Sequence, residues 1–207
     1  MKLLALDTCL DKTYVTLTDS TNFDNRIILS NEKNYHSAYL ISTIIEILKS
    51  SKITPKDIDC IAIDIGPGSF TGIRACTTVA RMLAQQLNIK AIGISSLEIL
   101  SKAYGNNDLV ALDARKNKAY VYNNKILGAI ELETVDEIIK NKKLITDDNL
   151  FERFSQQTKD IVSYQSQNFQ LGEILARLAI EKIKKGSDTD WRKIKPLYIQ
   201  PPPVFGK

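Results

Sequence analysis

Hydrophobic and polar positions along the chain alternate between two periods, and the changes of period divide it into short strands and longer helices. Leu3-Leu4-Ala5-Leu6 is an apolar run closed by Asp7, residues 13–18 carry a β-branched and aromatic bias, and Ile27-Ile28-Leu29 makes a third strand. Short turns rich in Asp, Asn and Ser separate them. Over residues 36–49 the apolar positions recur at helical spacing, and Cys60-Ile61-Ala62-Ile63-Asp64-Ile65 then reads as a buried strand. A Gly-Pro-Gly loop leads into a helix over residues 71–87, followed by a strand over 90–94 and a helix capped by Ser95 or Ser96 that reaches Tyr104.

The second half repeats this order more faintly. Leu109-Val110-Ala111-Leu112-Asp113 matches the opening strand with its terminal Asp, and residues 119–122 and 125–132 give two more strands. A helix over 135–140, a short strand Lys143-Leu144-Ile145 and a long helix over 168–185 complete it. The same order met twice predicts an α/β protein of two related lobes, each built on a mixed sheet, over residues 1–105 and 106–207. The second lobe is the smaller and more diverged, and its last helix is expected to pack back on the first. Pro201-Pro202-Pro203 marks an irregular tail.

Composition narrows the chemistry more than the fold. The 207 residues are 43% hydrophobic and 25% charged with a net charge of +4, which suits a folded globular protein and is too weak to argue nucleic-acid binding by charge alone. A single histidine, His36, excludes any site built on two histidines. The cysteines Cys9, Cys60 and Cys76 are odd in number and lack a Cys-x-x-Cys pair, against both a disulfide framework and a zinc site. Asp7 cuts the N-terminal apolar run short of a signal-peptide core, and no apolar run approaches the ~20 residues of a membrane span. The expectation is a soluble, cytoplasmic protein with no membrane partner.

Gly66-Pro67-Gly68-Ser69-Phe70-Thr71-Gly72 joins a buried strand to a helix N-terminus, where free N–H groups and the helix dipole favour an anion. It contains neither Gly-Lys-Ser/Thr nor Gly-x-Gly-x-x-Gly, so a phosphate cradle and a tight strand-to-helix turn both remain open readings. The two helices of the first half carry wide apolar arcs. Residues 37–49 spread Leu40, Ile41, Ile44, Ile45, Ile47 and Leu48 over about 180°, and residues 71–87 spread theirs over about 200°, where one core-facing stripe needs only about 100°. Deep burial in one lobe and a second, partner-facing surface both account for the excess.

Leu4-Ala5-Leu6-Asp7-Thr8, His36-Ser37, residues 61–74 with Gly-Pro-Gly-Ser-Phe-Thr-Gly-Ile-Arg, Gly93-Ile94-Ser95-Ser96-Leu97 and Ala111-Leu112-Asp113-Ala114-Arg115 together resemble the TsaB (YeaZ) family. The likeness runs over residues 2–122 and is weak beyond, with Pro196-Leu197-Tyr198-Ile199 as an anchor. It implies a two-lobed actin-like fold of the ASKHA and ribonuclease-H-like kind. It also implies an accessory subunit that binds and stabilises the catalytic paralogue TsaD and helps recruit the ATPase TsaE. Together they make threonylcarbamoyladenosine next to the anticodon of tRNAs reading A-starting codons, so that tRNA is met through the complex.

The paralogue TsaD carries a His-x-x-x-His metal pair on the helix after the next strand, and here Ser96 and Leu100 stand at those places. No catalytic residue and no metal site are therefore assigned. An actin-like ATPase needs phosphate hairpins in both lobes, and Ala114-Arg115-Lys116-Asn117-Lys118 after Asp113 includes no glycine. Asp7, Asp113 and Arg115 are read as a vestigial nucleotide site, with no cofactor bound by the chain alone and a nucleotide, if any, at the TsaD interface. The resemblance moves the helix arcs toward an interface with TsaD, or with a second copy when the chain is alone. Leu40, Ile44, Ile47 and Leu48 of the first helix and Ile73, Cys76, Val79, Ala80 and Leu83 of the second are its candidate residues. A nucleotide-dependent actin-like ATPase or small-molecule kinase is the alternative from another class, and a glycoprotease-like peptidase is a third.

Overall fold

The computed structural model describes residues 1–29, 39–105 and 109–200. The chain divides into two compact units, Met1–Ser96 with Leu171–Leu197, and Leu97–Gln170 with residues 198–200. The boundary thus falls near residue 96 rather than 105, and the first unit is completed by a segment that returns from late in the sequence.

The first unit holds β1 (Leu3–Asp7), β2 (Lys12–Thr18), β3 (Phe23–Leu29), α1 (Leu40–Ser50), β4 (Cys60–Asp64), α2 (Phe70–Leu87) and β5 (Lys90–Ile94). Its sheet has the order β3-β2-β1-β4-β5, antiparallel from β3 to β1 and parallel from β1 to β5. β1 and β4 lie in the middle of this sheet and are buried along their whole length, which explains why they read as unbroken apolar runs rather than alternating ones. The strand period still sorts their side chains by face. Leu4, Leu6, Val15, Leu17, Ile61 and Ile63 pack with the inner sides of α1 and α2.

Helix α6 (Leu171–Lys184) belongs to this unit, packed on β1, β2, β4 and β5. It approaches most closely at Gly172, where a Cβ would sit 2.3 Å from the Thr16 hydroxyl. Arg177 adds its guanidinium over the Phe23 ring at 4.2 Å. After α6 the chain stays on the unit. Ala91 N–H donates to Thr189 O at 3.0 Å and Leu197 N–H donates to Ile65 O at 2.8 Å.

The second unit contains α3 (Ser96–Ala103), which Ser96 begins from the first, then β6 (Leu109–Arg115), β7 (Lys118–Tyr122), β8 (Ile126–Glu131), α4 (Leu132–Ile139), β9 (Leu144–Thr146), α5 (Asp148–Ser155) and β10 (Ile161–Ser163). Its sheet order is β10-β9-β6-β7-β8, which is the first sheet's order repeated strand for strand. β6 to β8 form an antiparallel meander and β6, β9 and β10 run parallel. Leu109, Ala111, Ala119 and Val121 pack under Val135 and Ile139 of α4 and Leu150 and Phe154 of α5. Helix α5 and strand β10 are additions to the sequence reading. The other elements shift by a few residues, α6 starting at Leu171 rather than at 168.

Candidate functional site

β1 and β4 run side by side in parallel, with Leu6 opposite Ile63, so the turns that leave them emerge together at one end of the sheet. Each strand ends on a carboxyl group, Asp7 and Asp64, and both side chains are fully buried. Each carboxyl holds its own turn with one oxygen. Asp7 Oδ1 accepts the Cys9 N–H at 2.8 Å, and Asp64 Oδ1 accepts the Gly66 N–H at 2.7 Å and the Ser96 hydroxyl at 2.8 Å. The second oxygen of each, Oδ2, is buried with no hydrogen-bond partner among the described residues.

The two turns are fastened to one another. Ser69 N–H donates to Cys9 O at 2.8 Å, the Thr8 hydroxyl donates to Gly72 O at 2.6 Å, and the Cys9 thiol donates to Asp64 O at 3.3 Å. This contact decides what the glycines of the motif are for. A Cβ on Gly68 would stand 2.2 Å from Cys9 O, and one on Gly72 would stand 1.8 Å from Thr8 O. Gly66, at φ +95°, supplies the positive φ that starts the loop, and Pro67 is buried beside it. Ser69 caps α2, accepting from Gly72 N–H at 3.3 Å, with Phe70 and Thr71 opening the helix. The N–H groups of Gly66, Ser69 and Gly72 are thereby committed within the unit, and two carboxyls lie at the base of the loop. Of the two readings the sequence left open, the structure favours the packed strand-to-helix turn over a phosphate cradle.

Burial pushes the Asp64 carboxyl up to about 6, and burial together with the Asp64 charge pushes Asp7 well above the usual carboxylate range. Burial also raises the thiols of Cys9 and Cys76 well above their ordinary range, which keeps them as donors, Cys76 to Leu6 O at 3.2 Å. The ligating atoms of Asp7, Cys9 and Asp64 lie within 4.8 Å of one another. A hard divalent cation favours an all-oxygen shell and retains waters, whereas this set is fully buried and its sulfur is a protonated donor turned to a carbonyl. The donor set does not suit such an ion.

Ser96 and Leu100 are both buried, and Ser96 closes the base of the loop, its N–H donating to Gly66 O at 2.9 Å in addition to its hydroxyl contact with Asp64. Asp113 lies in the second unit. It organises the turn after β6, accepting Arg115 N–H at 2.7 Å, while Arg115 lies largely in solvent with its guanidinium 3.3 Å from the same carboxylate. Asp147, at the end of β9, accepts the Asp113 N–H at 2.6 Å and caps α5 through Leu150 N–H at 3.1 Å. His36 and Ser37 lie outside the described residues, as do Pro201, Pro202 and Pro203. The basic stretch after α6 is paired locally, Lys185 with Glu181, Arg192 with Asp190 and Lys193 with Asp188.

The candidate interface residues are mostly turned the other way. Leu40, Ile44, Ile47, Leu48, Ile73, Cys76 and Ala80 are buried in the core beneath α1 and α2, and Val79 and Leu83 are half-buried against it. They hold the lobe together and present little to a partner. The apolar surface of these helices belongs instead to Ile41, 51% exposed, Ile45, 60% exposed, and Met82, 47% exposed, with Tyr39 at the start of α1. The wide arcs thus combine an inner side in the core with a few large apolar side chains that stay exposed, two on α1 and one on α2.

Two five-stranded mixed sheets of identical order, each flanked by helices, define a two-lobed actin-like fold. YeaZ from Pseudomonas aeruginosa shares that fold with a TM-score of 0.78 at 23% identity, over 95% of this chain and 99% of that one. Residues 28–172 match the family described as TsaD: tRNA N6-adenosine threonylcarbamoyltransferase. The tRNA threonylcarbamoyladenosine biosynthesis protein TsaB of Buchnera aphidicola subsp. Schizaphis graminum is 32% identical over 154 residues, 69% of this chain and 70% of that protein. Its namesake from Buchnera aphidicola subsp. Acyrthosiphon pisum is 30% identical over 153 residues, 69% of this chain and 66% of that protein. The chain belongs to the TsaB (YeaZ) family.

Proposed function

We propose that this chain is the accessory subunit of a tRNA threonylcarbamoyl transferase complex, which binds and stabilises TsaD and helps form the surface that recruits TsaE. Catalysis belongs to TsaD in this reading. The observation that carries it is the set of exposed apolar side chains on α1 and α2. Ile41 and Ile45 are four residues apart on one helix face and more than half exposed, and α2 leaves Met82 47% exposed. Apolar side chains of that size, left in water on two helices that cover the same sheet face, suit a helical partner. The position of Ser96 and Leu100 supports a non-catalytic role, because a hydroxyl bonded to Asp64 and a buried leucine offer no metal ligands there.

The test is reconstitution of tRNA modification from TsaD, TsaE, threonylcarbamoyl-adenylate and tRNA, with and without this chain. Omission is expected to abolish modification. Ile45→Glu and Met82→Glu are expected to weaken co-elution with TsaD on gel filtration by at least tenfold in concentration while leaving the circular dichroism of the chain unchanged. Full modification in the absence of the chain defeats the reading.

A further inference from the structure

Two fully buried carboxyl groups end β1 and β4, an oxygen of one lying within 4.8 Å of an oxygen of the other, and each leaves one oxygen without a hydrogen-bond partner among the described residues. A buried carboxylate without compensation is among the most costly groups a core can hold, and a second one beside it doubles the difficulty. Among the described residues, Asp11 in the turn after β1, Tyr14 on β2, Cys9, and Cys76 on α2 are the titratable groups that act on the pair, and none of them brings a positive charge. The donors already in place, the Cys9 and Gly66 N–H groups and the Ser96 hydroxyl, all reach the Oδ1 atoms. What the neighbouring carboxyls lack is a donor for their Oδ2 atoms, and the smallest group that supplies one is a proton.

We propose that Asp7 and Asp64 share a single proton, Oδ2 to Oδ2, and that this carboxyl–carboxylate hydrogen bond, with no cation between them, is the clasp joining the turn after β1 to the Gly-Pro-Gly loop. The proton is taken from solvent as the chain folds, leaves one negative charge on the pair instead of two, and returns to solvent on unfolding. The remaining charge is met by the N–H and O–H donors on Oδ1. The second unit shows the contrast, since there the backbone N–H of Asp113 bonds to Asp147 and supplies the donor directly.

The sign of the pH dependence follows from the direction of the shifts. A carboxyl whose proton is held more tightly in the folded state keeps it where the unfolded chain has released it, so stability falls as pH rises above the ordinary Asp value of 3.8. Asp7→Asn keeps the shape, leaves an oxygen for Cys9 N–H and offers an amide donor to Asp64 in place of the proton.

The experiment combines infrared difference spectra at pH 7, wild type minus Asp7→Asn, with thermal unfolding from pH 5 to pH 8 in EDTA and in Mg²⁺, Mn²⁺ or Zn²⁺. The expected results are a protonated-carboxyl band in the wild type that the variant lacks, and a wild-type Tm that falls with pH more steeply than that of Asp7→Asn. The slope difference corresponds to uptake of about one proton on folding. Divalent cations should move neither Tm. Absence of the carboxyl band at pH 7 overturns the proposal, as does a cation-dependent rise in wild-type Tm that Asp7→Asn abolishes. If Asp7→Asn does not fold, the wild-type band under ¹³C-aspartate labelling and the wild-type cation titration decide the question alone.

Discussion

At the scale of single residues, Gly72 sets local propensity against tertiary contact. It sits in the first turn of α2, where Ala in its place would favour an isolated helix by about 1 kcal/mol. The added methyl group would meet Thr8 O at 1.8 Å, a backbone atom that cannot swing aside. Gly72→Ala is therefore expected to destabilise the protein by about 2 kcal/mol or more, the reverse of its propensity, as read from the urea midpoint. Ser96→Ala removes one of the donors on Asp64 and is expected to cost about 1–3 kcal/mol in the same measurement, since the carboxyl stays buried. The glycines were legible in the sequence as a motif but not in their purpose, because a close approach to Thr8 and Cys9 involves residues some 60 positions away. Asp64 was passed over for the same reason. Its partner Asp7 lies on another strand, and the one local signal was that both strands close on Asp.

At the scale of elements, the helical period of α1 was plain in the sequence, yet it did not tell which of the neighbouring isoleucines Ile44 and Ile45 meets the sheet. Successive residues on a helix differ by about 100°, so a run of apolar residues over about 180° fixes a helix without saying which part of the arc meets the sheet. The sheet settles it: Ile44 is 6% exposed against Leu17 and Ile63 in the core cluster, and Ile45 is 60% exposed. Two substitutions one residue apart should therefore behave in opposite ways. Ile44→Glu places a carboxylate in the core and is expected to cost about 3 kcal/mol or more, with loss of folded protein. Ile45→Glu is expected to stay within about 0.5 kcal/mol of the parent in chemical denaturation and to act only on TsaD binding. The elements that the sequence did not reveal, α5 and β10, are short. Asp-Asn-Leu-Phe-Glu-Arg-Phe-Ser offers three apolar residues in eight, and its hold on the sheet comes from the burial of Leu150 and Phe154 as the helix packs on β6 and β10.

At the scale of the whole molecule, the repeated order of strands and helices was the most legible feature, because each half carries the same succession of periods and closes its first strand on Asp. The boundary was not legible, since a cut in sequence cannot show that the chain comes back. Leu171, Leu175, Ala176 and Ala179 of α6 are buried in the first unit, and the segment beyond it bonds to Ala91, Ile65 and Arg81. Strands β1 and β4 are buried along their whole length, apolar up to their closing Asp, and are covered on a second face by this late segment. A fragment of residues 1–105 would leave that face in water, a larger apolar area than a soluble domain of its size tolerates. The fragment is accordingly expected to aggregate or to lack a cooperative thermal transition, and a peptide of residues 168–200 added in trans is expected to restore one. Circular dichroism melts of the fragment, the peptide and their mixture read the outcome. A cooperative transition in the fragment by itself would mean that the first sheet is stable without α6, and the returning segment would then be an attachment rather than part of the core.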